Sequence, residues 1–137
     1  MWYTALNSPN PLPPSHRLWE GGILMMEDTD MRRFGQVIGV KPEFADEYER
    51  LQAAMWPEIR AAMTASQVRN YTIFRHGETL FGYFEYLGDD FAADMARLND
   101  EPKMREWWTL TGPMQQPLAD RAPGEWWLTM REIFHQE

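Results

Sequence analysis

Phe44, Tyr48, Leu51, Met55 and Ile59 recur three or four residues apart within residues 43–59, which aligns them along one face of a helix. Pro57 interrupts that pattern, because it has no N–H to donate and its ring collides with the preceding turn. A proline is well suited to open a new helix, however, so the segment predicts a kink or restart at Trp56-Pro57-Glu58 and a continuation through Met63. Tyr48 and Gln52 stand one turn apart before the break, where their polar ends can converge on one ligand.

The flanking segments set the rest of the fold. Residues 34–40 carry Val37, Ile38 and Val40 and read as a strand. Residues 70–74 and 79–86 read as two more, rich in aromatic and β-branched side chains and joined by a turn at Gly77. Residues 89–98 form an amphipathic helix, with Phe91, Met95 and Leu98 on one side and acidic residues near its start. A short helix from Pro102 to about Leu110 bears Trp107 and Trp108, and residues 126–134 can form a last strand. The order β-α-β-β-α-(α)-β is that of a ferredoxin-like α+β sandwich, an antiparallel sheet with helices on one face. Along residues 80–84, Phe81 and Tyr83 alternate with Leu80, Gly82 and Phe84, so the opposite sheet face also carries aromatic groups. Two copies packed sheet to sheet would cover it, which predicts a homodimer.

Residues 1–31 differ from the domain expected over 32–137. Residues 7–15 are proline-rich and suit neither strand nor helix, so this extension is expected to be flexible, or to dock through Trp2, Tyr3, Leu18 and Trp19. The net charge of −8 is wrong for a nucleic-acid partner, whose phosphates call for clustered Lys and Arg. With no cysteine, thiolate chemistry and Cys-based zinc sites are excluded, and a reducing, cytoplasmic setting fits. No apolar run reaches the length of a membrane span, and the N-terminus lacks the pattern of a secretory signal. The three histidines are scattered, so no metal is expected.

Tyr48, the Trp56-Pro57-Glu58 triplet and the Trp107-Trp108 pair together resemble the L-rhamnose mutarotase family, over roughly residues 32–134. The resemblance implies a dimeric α+β barrel and a monosaccharide substrate, a 6-deoxy hexose of the L-rhamnose or L-fucose type. It implies that Tyr48, Tyr71, Trp107 and Trp108 contact the sugar. Mutarotation needs a proton delivered to the ring oxygen while the anomeric hydroxyl loses one, so positioned acid–base groups suffice and no cofactor is required. Flat aromatic faces and polar side chains are what a sugar surface asks for. The family carries a histidine as its acid on this helix, and here Gln52 occupies that position. A carboxamide has no useful pKa, so the proton must come from elsewhere. Glu58, beside Trp56, and His135, near the end of the last expected strand, are candidates, and water acting through Tyr48 or Tyr71 is a further one. The plainer reading makes Glu58 a first-turn helix residue and His135 a solvated terminal one. Without an acid, the same cleft describes a non-catalytic sugar-binding protein. The fold also hosts other chemistries, such as cofactor-independent oxygenation, so architecture alone does not choose among them.

Overall fold

A computed structural model describes residues 31–137, and the calls on the proline-rich extension, Met31 apart, lie outside the described residues. In chain order the elements are β1 (Arg32–Val40), α1 (Ala45–Ala53), α2 (Pro57–Ala65), β2 (Val68–His76), β3 (Thr79–Tyr86), α3 (Phe91–Asp100), α4 (Pro102–Thr111), β4 (Gln115–Gln116) and β5 (Leu128–Met130). Single 3-10 turns, Pro42–Phe44 and Gly112–Met114, lead into α1 and out of α4. The long helical segment does break where its proline requires. The chain leaves helical geometry at Ala54, Trp56 is extended, and Pro57 opens α2. Asp90 starts α3 by accepting the Ala93 N–H at 3.1 Å, and Glu101 does the same for α4 at the Lys103 N–H.

The strands form one curled antiparallel sheet in the order β2-β3-β1-β4, with β5 also paired to β1. This is the ferredoxin-like order with its fourth strand divided in two. Gln115 and Gln116 pair with Val40 and Gly39, while residues 128–130 pair with residues 35–37 of the same strand. The last strand is therefore shorter than the expected 126–134, and β4 is an element the periodicity did not reveal. On the side of Trp126 the reason is competition for one edge, because β4 already takes Gly39 and Val40 of β1. Trp126 and Trp127 fall outside the strand as a result, and residues 131–137 are exposed without regular structure. At the opposite hairpin, Gly77 adopts φ 59° and closes the turn between β2 and β3, as expected.

Strand alternation divides the sheet into two faces. The inner face presents Phe34, Ile38 and Val40 of β1 and Leu80, Phe84 and Tyr86 of β3, all buried. Helices cover it with Tyr48, Ile59, Met95, Leu98, Met104 and Trp107. A row of rings crosses this face, Phe91 on Phe34 at 5.0 Å, Phe34 on Phe84 at 4.7 Å and Phe84 on Tyr71 at 5.7 Å. The outer face carries Val37 opposite Phe81 and Phe81 opposite Phe74, of which Phe74 is 64 % and Phe81 40 % exposed. No described helix is long and apolar enough to cross a membrane.

Gln36 is the anomaly of the inner face. It is fully buried on β1, opposite Gly82 on one side and Thr129 on the other, and neither end of its amide has a hydrogen-bond partner. An unsatisfied buried polar group costs about 1–3 kcal/mol. Gln36→Met, which keeps length and removes the amide, should therefore raise unfolding free energy by about 1–2 kcal/mol in urea titrations. A loss of stability would show that the amide is satisfied by buried solvent.

Candidate active site

A cleft of about 870 Å³ lies between the inner sheet face and the helices, within the roughly 300–1,000 Å³ usual for small-molecule sites. Each wall follows from a local feature of the chain. Tyr48 and Gln52, one turn apart on α1, both line it. The break before Pro57 sets Met55 and, on α2, Ile59 and Met63 along the same wall. Trp107 and Trp108 approach from α4, but the two differ in kind. Trp107 is buried, its ring edge-on to Trp56 at 5.1 Å, whereas Trp108 is half-buried and open to the cleft.

Tyr71 reaches the cleft through a backbone irregularity. The β2–β3 register runs Val68 to Tyr86 and Arg69 to Glu85, then resumes at Thr72 with Tyr83. One extra residue is thus inserted in β2, and Asn70 sits there at φ 52°. Each residue of a strand alternates its side, so the insertion reverses the facing of everything after it. Without it Tyr71 would face outward, away from the helices. With it Tyr71 stacks on Phe84, nearly coplanar at 7°, and lines the cleft with Ile73. Asn tolerates left-handed backbone better than most residues, and its Nδ2 donates to Glu85 at 2.7 Å across the bulge. An asparagine opening an otherwise aromatic, β-branched strand was the signal available in the sequence.

Three residues of the site were not foreseen. Gln115, Trp126 and Trp127 all line the cleft, brought there by β4 and by the loop before β5. Gln115 Nε2 donates to the Tyr48 hydroxyl oxygen at 3.0 Å, and the Trp126 indole N–H donates to Gln115 Oε1 at 2.7 Å. Trp127 packs over Gly82, where an added Cβ would stand 3.2 Å from the indole, so the absence of a side chain there makes room for the ring. Burial pushes the Tyr48 phenol up to about 12, and the bonds from Gln115 and Gln52 oppose that rise.

Glu58 and His135 are not brought into this constellation. Glu58 is exposed in the first turn of α2, and His135 is exposed in the C-terminal segment; neither lines the cleft. The only charged residues that do are Lys41 and Arg60, so among the described residues the lining holds no carboxylate and no imidazole. Nor is there a described group of three His, Asp or Glu side chains placed to hold a metal ion. The chemistry on offer is hydrogen bonding from two tyrosines and three carboxamides, Gln52, Gln115 and Gln116, between aromatic walls.

Residues 33–136 match the L-rhamnose mutarotase family model. The chain is 33 % identical over 109 residues to the L-rhamnose mutarotase of Oceanobacillus iheyensis, covering 78 % of this chain and all of that protein. It is 34 % identical over 107 residues to the L-rhamnose mutarotase of Opitutus terrae, covering 77 % of this chain and 98 % of that one. Among solved structures it is similar to the L-rhamnose mutarotase of Formosa agariphila, with TM-score 0.58 and 19 % identity over 77 % of this chain and 99 % of that one. Tetracenomycin F2 cyclase from Streptomyces glaucescens, a type-II polyketide cyclase, is similar at TM-score 0.56 and 17 % identity, over 77 % and 97 % of the two chains. At those identities the two structures speak for the fold alone.

The bulge gives a direct test. Asn70→Val forces a β-branched residue into left-handed backbone and should cost about 1–2 kcal/mol, whereas Asn70→Gly should cost distinctly less. Thermal unfolding compares the two, and equal losses would show that the Glu85 bond, rather than the backbone, is what the asparagine supplies.

Proposed function

The chain belongs to the L-rhamnose mutarotase family, and we propose that it interconverts the α and β anomers of a 6-deoxy hexose of the L-rhamnose or L-fucose type. The observation that carries this reading is one cleft that gathers Tyr48 and Gln52 of α1, Tyr71 of β2 and Trp108 of α4. The sugar's C–H surface lies against Trp108 and Tyr71, and its hydroxyls meet Tyr48 and Gln52. Ring opening transfers a proton to the ring oxygen as the anomeric hydroxyl loses one; the aldehyde turns about the bond to its neighbour and closes on either face. With Gln52 where the family has its histidine, Tyr48 and water share the proton movement, and turnover is accordingly modest. No cofactor is needed for this chemistry.

We further propose that the protein acts as a homodimer in the cytoplasm. Phe74 and Phe81 lie exposed on the outer sheet face, with Val37 beside them and Met130 along the same edge, and a second sheet would cover them. A monomer by light scattering at micromolar concentration would count against this.

Exchange spectroscopy by NMR on a panel of reducing sugars tests the activity directly, and anomer exchange above the solvent rate is the expected result. Binding without exchange would describe a sugar-binding protein instead. Gln52→His should increase exchange, by up to the roughly 10²–10⁴-fold that general acid–base groups contribute, because imidazole titrates near neutrality. Trp108→Ala should weaken sugar binding with little change in unfolding temperature. Trp107→Ala should destabilise the fold by about 3–5 kcal/mol, since its ring is core.

A further inference from the structure

Gln115 lies 7 % exposed between Trp126 and Tyr48, joined to both. The direction of that chain is fixed by its chemistry. An indole N–H can only donate, so Gln115 must turn its carbonyl to Trp126, and its NH2 then faces the Tyr48 oxygen. An NH2 has no lone pair to offer, so the Tyr48 oxygen accepts. The proton of Tyr48 is left to point away from Gln115, and Tyr48 lines the cleft.

We propose that Gln115 is a positioning residue: anchored by Trp126, it holds the Tyr48 hydroxyl as a hydrogen-bond donor aimed into the cleft, at an oxygen of the bound sugar. The role in turnover rests on the mutarotase reading above. A donor fixed in place before reaction meets the ring oxygen as negative charge gathers there during opening, with no reorientation at that moment. A buried tyrosine free to rotate would divide its time between donating to the cleft and donating to its neighbours. Trp126 and Gln115 remove that freedom. The raised pKa of Tyr48 keeps the hydroxyl protonated through the neutral range, so the donor is always present.

Gln115→Glu reverses the polarity. One oxygen of the introduced carboxylate can still take the Trp126 N–H, while the other takes the Tyr48 proton and withdraws it from the cleft. Catalysed exchange, after subtraction of the solvent rate, should fall by about 10²-fold at pH 8, the scale of losing one oriented donor. It should recover as pH falls and the carboxyl regains a proton to donate. In a Tyr48→Phe background the same substitution should cause no further loss. Gln115→Met, near in shape but unable to bond either neighbour, guards against poor folding of the charged variant; it should lower exchange without recovery in acid. Independently of any sugar, the Gln115 side-chain amide signals in ¹⁵N NMR should shift in Tyr48→Phe. Losses that add in the double mutant, no acid recovery in Gln115→Glu, or native exchange in Gln115→Met would each overturn the proposal. So would amide signals unmoved by Tyr48→Phe. If the native protein exchanges no sugar, the mutarotase reading fails, and the amide shift alone decides whether Gln115 holds Tyr48.

Discussion

Stacked rings across the inner sheet face are the constraint to which the rest of the structure answers. Phe91 from α3, Phe34 from β1, Phe84 from β3 and Tyr71 from β2 form one continuous row. Each such pair adds about 0.5–1.5 kcal/mol beyond the area it buries, and the row fixes α3 on the strands and the strands on one another. Its first members are core. Its last, Tyr71, is half-buried and becomes cleft wall. A site built on the end of a packed row inherits the rigidity of the row.

The polar half of the site is organised differently, by donor and acceptor inventory instead of shape. Trp126, Gln115 and Tyr48 form a chain whose direction follows from the indole having only a proton to give. Burial then raises the cost of breaking that order, since each group left unpaired would forfeit its hydration without compensation. In this way a loop before a three-residue strand and a two-residue strand act on a tyrosine of the first helix. Among the described residues the lining holds neither carboxylate nor imidazole, so its hydrogen-bonding groups near Tyr48 are neutral amides.

The architecture itself is shared with a polyketide cyclase as well as with a rhamnose mutarotase, so the sheet and helices do not choose the reaction. What differs among proteins of such a fold is the cleft lining. Here the aromatic lining is Tyr71, Trp107, Trp108, Trp126 and Trp127 around Tyr48 and Gln52.

Periodicity and proline chemistry determined a great deal from sequence alone. The helix face of residues 43–59, its restart at Pro57, the hairpin at Gly77 and the ferredoxin-like strand order all follow from spacings of two or three-to-four residues and from backbone sterics. The Tyr48–Gln52 pairing was legible for the same reason, because a helix fixes what lies one turn away. Residues 115–116 and 128–130 were not legible as strands of those lengths, since a segment so short has no period and exists only where β1 offers it an edge. Gln115, Trp126 and Trp127 entered the site by that route, and Glu58 and His135 stayed out of it because their backbone directions point them to solvent. Tyr71 belongs to both accounts. Its aromatic ring was visible in the sequence, but which face it takes depends on a single inserted residue, and only the register of the paired strands decides that.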